Sequence, residues 1–90
     1  MSQTETEIAA VLHHFGVGGY PAGRFTASLV EAAAAADSYN GCRLAAAFPT
    51  IVSAVNLVKN HEDGARVLDD WLTSSGNSIA QLHEILELAR

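Results

Sequence analysis

The chain has 90 residues, five Lys and Arg against ten Asp and Glu, and a formal net charge of −5. That length makes one domain spanning residues 1–90, and 49% hydrophobic against 17% charged residues speaks for a packed core rather than disorder. So few cations argue against a broad phosphate-binding surface, and no apolar run approaches the ~18–20 residues of a bilayer span. The amino terminus is polar and acidic, unlike a secretory signal, and the lone Cys42 has no intrachain disulfide partner. Both features lead us to expect a reducing, cytoplasmic setting.

Apolar residues recur at three- and four-residue intervals, without the alternation of a half-buried strand. The first helix runs from Thr4 to Phe15, with Ile8, Val11, Leu12 and Phe15 on one face and Thr4-Glu5-Thr6-Glu7 as its capping box. Gly16-Val17-Gly18-Gly19-Tyr20-Pro21-Ala22-Gly23 then breaks it, its glycines permitting positive φ. A second helix, about Arg24 to Ala36, carries an apolar stripe of Phe25, Leu29, Ala32, Ala33 and Ala36. Its run of five alanines gives it a thin side that a neighbour can approach closely. Asp37 is the N-cap of a third helix bearing Leu44, Ala45, Ala47 and Phe48, and Pro49 turns the chain into a fourth.

The fourth helix, Pro49 to about Asn60, places Ile51, Val52, Val55 and Val58 on one stripe. After Asn60-His61-Glu62-Asp63, a fifth turns Val67, Leu68, Trp71 and Leu72 inward and Asp69 and Asp70 outward. A small polar turn leads to an N-cap at Asn77 or Ser78, and the last helix runs from Ile79 to Leu88. The expected fold is all-α, a compact bundle of five or six short helices packed on one another.

The stretch Ala36-Asp37-Ser38-Tyr39-Asn40-Gly41-Cys42-Arg43-Leu44-Ala45-Ala46-Ala47-Phe48-Pro49-Thr50-Ile51-Val52-Ser53-Ala54-Val55 resembles a segment of small proteins from actinobacteria and their phages. Their pattern reads roughly A-D-x-x-N-x-x-[RK]-L-A-x-G-F-P-x-x-V-x-A, and Phe25 to Ala32 is similar to its F-T-x-x-L-x-x-A lead-in. The chain departs from it at Ala47, where glycine is usual, and at Ser38, where proline is common. The resemblance implies a phage or prophage protein made inside a bacterium and gripping a host protein. It brings no activity and no catalytic residues.

Chemistry has few footholds. His83 and Glu87 lie one helical turn apart, and His61, Glu62 and Asp63 cluster, but neither group has a zinc-site pattern around it. Cys42 follows Gly41 near a helix start and precedes Arg43, an arrangement that can lower a thiol pKa. A lone Cys in an Ala-rich helix is more often a small buried hydrophobe. Gly16-Val17-Gly18-Gly19 lacks the Gly-Lys-Ser/Thr of a P-loop. No catalytic residue, cofactor site or metal site is assigned, and a non-enzymatic role is expected.

Two recognition modes remain. In the first, Trp71 and the last helix (Leu82, Ile85, Leu86 and Leu88) form an apolar face against a host protein or a second copy in a homodimer. The same residues equally suit the chain's own core, which is where a large aromatic usually lies. In the second, the last two helices form a helix-turn-helix in which Gln81 reads adenine. Glu84 and Glu87 on that recognition helix would face phosphates, so nucleic acid is the weaker expectation.

Overall fold

A computed structural model describes residues 2–89. Six α-helices follow one another: α1 (Gln3–His14), α2 (Arg24–Ala35), α3 (Ser38–Ala47), α4 (Pro49–Asn60), α5 (Gly64–Thr73) and α6 (Ile79–Leu86), with a 3₁₀ turn over Glu87–Ala89. Among the described residues there is no strand, so the all-α bundle expected from the sequence is the fold observed.

α4 is the central element and packs against each of the other five helices and the 3₁₀ turn. Its sequence explains this position. Ile51, Val52, Ala54, Val55 and Leu57 are all buried, a face wider than one helical stripe. α1 buries five consecutive residues, Ile8 to Leu12, because α2, α4 and α5 enclose much of it and the glycine loop covers the rest. At Gly19, with φ of 65°, the backbone lies directly on the carbonyl of Ala9. A side chain there would need both the left-handed conformation and space that Ala9 already fills.

Several local expectations hold. The Asp37 side chain caps α3 by accepting from the Asn40 amide at 2.8 Å. Pro49 is the first residue of α4, and Phe48 beside it leaves helical geometry with φ −132° and ψ 62°. Ser78 caps α6 in a capping box with Gln81.

Others are corrected. The capping box of α1 is Ser2 with Glu5, two residues before the Thr4–Glu7 pair. Both tetrapeptides fit the pattern, and the earlier one adds two residues to the helix. α2 is rolled about its axis relative to the expected stripe: Val30 and Ala33 are buried, Leu29 and Ala36 are half-buried, and Phe25 and Ala32 are exposed. Cys42 is exposed rather than buried, because α3 turns Gly41, Leu44 and Ala45 inward. α6 ends at Leu86, not Leu88, as the chain tightens into the 3₁₀ turn.

Candidate functional site

The most unusual surface lies on α2 and α3. Asp37 caps α3 immediately after α2 ends, and both helices pack against α4 rather than closely on each other. Phe25 near the start of α2 meets Phe48 just after α3, ring centroids 6.1 Å apart at 67°. Beside the corner that joins α2 to α3 lies a groove of about 550 Å³ lined by Ala32, Ala35, Ala36, Asn40, Arg43 and Leu44.

Its composition is unusual for a surface. Phe25 is 69% exposed and Tyr39 is 71% exposed, while no residue of α3 is buried. Water meets a phenyl ring, three alanines and part of Leu44 where a self-contained small domain would place charge. The cause is the roll of α2. Burying Val30 and Ala33 against α4 carries Phe25 and Ala32 out to the rim.

Charge frames this face. Arg43 lines the groove, its guanidinium 5.4 Å from the Tyr39 ring centroid and 3.4 Å from the Asn40 amide oxygen. A guanidinium stacked on an aromatic ring loses less freedom when it later meets a carboxylate. At the far end of α4, the Lys59 ammonium donates to the Ala34 carbonyl at 3.0 Å, satisfying an orphan acceptor at the end of α2. Arg66 is ion-paired with Asp63 at 3.7 Å and Asp70 at 3.3 Å on the exposed face of α5.

The residues expected to bind through the carboxy-terminal region divide. Trp71, Leu82 and Leu86 are buried in the chain's own core. Trp71 also holds the α5–α6 turn: its indole N–H donates to the Ser78 carbonyl at 2.9 Å, and the Asn77 side-chain amide donates to the Trp71 carbonyl at 3.0 Å. Ile85 is half-buried, and Leu88 is 55% exposed near the Leu57–Gly64 crossing. These five residues therefore share a neighbourhood, but only Leu88 and part of Ile85 offer surface.

The chemical candidates stay apart. Among the described residues no three His, Cys, Asp or Glu side chains converge as metal ligands. Cys42 lies in a groove with Ala33, Val52, Asn56 and Asn60 and with no histidine along it. Gln81 spends its side-chain oxygen on the Ser78 amide at 3.0 Å, within the cap of α6. The outer face of α6 presents His83 and Glu84.

Sequence reading missed Phe25, Tyr39 and Arg43 as a surface group. The alanine run was the usable signal. A helix whose thin side spans most of its circumference can meet neighbours on two sides, and α2 packs on both α1 and α4 while still exposing Ala32 and Ala35. Among the described residues no helix is long and apolar enough to cross a membrane. Comparison with family models, with curated proteins and with solved structures returns no match for this chain.

Proposed function

We propose that this chain is a non-enzymatic protein-binding module that holds its partner on the α2–α3 face. The observation that carries the reading is the apolar surface of α2 and α3, where Phe25 is 69% exposed and a separate groove is walled by three alanines. An exposed aromatic beside small residues costs solubility and adds little to the fold, whereas in an interface it supplies an anchor. Tyr39 and Arg43 are of the residue types that concentrate binding energy in protein interfaces. The exposed Leu88 provides a smaller apolar spot on the other side of α4. The setting that accompanies this reading, on the resemblance of residues 36–55, is the cytoplasm of a bacterium carrying a phage or prophage.

Affinity capture from a bacterial lysate with three forms of the chain tests it. Wild type and Leu88→Ser retain the same protein in comparable amounts, while Phe25→Ser loses most of it. Equal retention by Phe25→Ser and loss by Leu88→Ser would move the site to the carboxy-terminal turn. Sedimentation of the three forms alone reports whether the captured species is a second copy.

A further inference from the structure

We draw no further inference here: the strongest candidate, the groove beside the α2–α3 corner lined by Ala32, Ala35, Ala36, Asn40, Arg43 and Leu44, is an unpartnered apolar face with Arg43 as its one charged side chain, and nothing in the structure shows what covers it.

Discussion

At the scale of single residues, two positions govern how closely the helices meet. Gly64, buried at the start of α5, faces α4 so tightly that the carbonyl oxygen of Leu57 occupies the place of any Cβ. Relief would require a shift of backbone, because the Leu57 oxygen belongs to the central helix. Gly64→Ala is therefore expected to lower stability by about 1–3 kcal/mol, the usual range for overpacking, in urea unfolding followed by circular dichroism. Gly76, with open space around it, is the control, and its alanine variant is expected to unfold within about 0.5 kcal/mol of wild type. Trp71 acts through both its volume and its N–H. Trp71→Phe keeps an aromatic ring but leaves the Ser78 carbonyl without its indole donor. A loss of about 1–3 kcal/mol is expected, together with faster amide exchange across residues 74–78.

At the scale of elements, caps and corners follow from short-range chemistry, and that is why they could be read. Asp37, Pro49 and Ser78 each act on backbone within a few residues, so their signals need no knowledge of the fold. Ser78→Ala removes the acceptor of the Gln81 amide and should cost about 1 kcal/mol, seen in the unfolding midpoint. The cap of α1 is pH-dependent. The Ser2 backbone N–H and hydroxyl, both directed at the Glu5 carboxylate, hold its pKa below the ordinary value. A lowered folded-state pKa means the unfolded chain binds the proton more readily, so the contribution is present above the ordinary carboxylate range and lost on acidification through the lowered value. The difference in unfolding midpoint between wild type and Glu5→Gln should accordingly be visible near neutral pH and shrink as the pH falls below the ordinary carboxylate range.

The roll of α2 was not legible in the same way. A stripe of Phe25, Leu29, Ala32, Ala33 and Ala36 and a face centred on Val30 and Ala33 are both helical patterns in nearly the same residues, sharing Ala33. Alanine is compatible with core and surface alike, so the periodicity had no strong preference, and the fit of α4 decided. Phe25 falls on the expected apolar stripe by spacing alone, and spacing does not tell a ring in the core from one at the rim. In the last helix the apolar residues were identified correctly, yet spacing alone did not distinguish those facing the core from those facing outward. Leu82 and Leu86 pack inward, and Leu88 lies beyond the end of α6.

At the scale of the whole molecule, one central helix organises the bundle and leaves one face underused. Every other helix meets α4, and the core forms without Phe25: Ile8, Leu12, Val30, Ile51, Leu57, Leu68 and Leu82 are fully buried and the Phe25 ring is not among them. The apolar groove is then surplus to folding, and its cost in exposed surface is offset only when something covers it. That surplus is what the binding proposal depends on, and it can be measured without any partner. Urea unfolding of Phe25→Ser and Val30→Ala, two neighbours by sequence on α2, separates surface from core. The account predicts that Val30→Ala loses about 2 kcal/mol, the transfer and cavity cost of buried methyl groups, while Phe25→Ser stays within about 0.5–1 kcal/mol of wild type. A loss in Phe25→Ser as large as that in Val30→Ala would place the phenyl ring in the core and contradict the account.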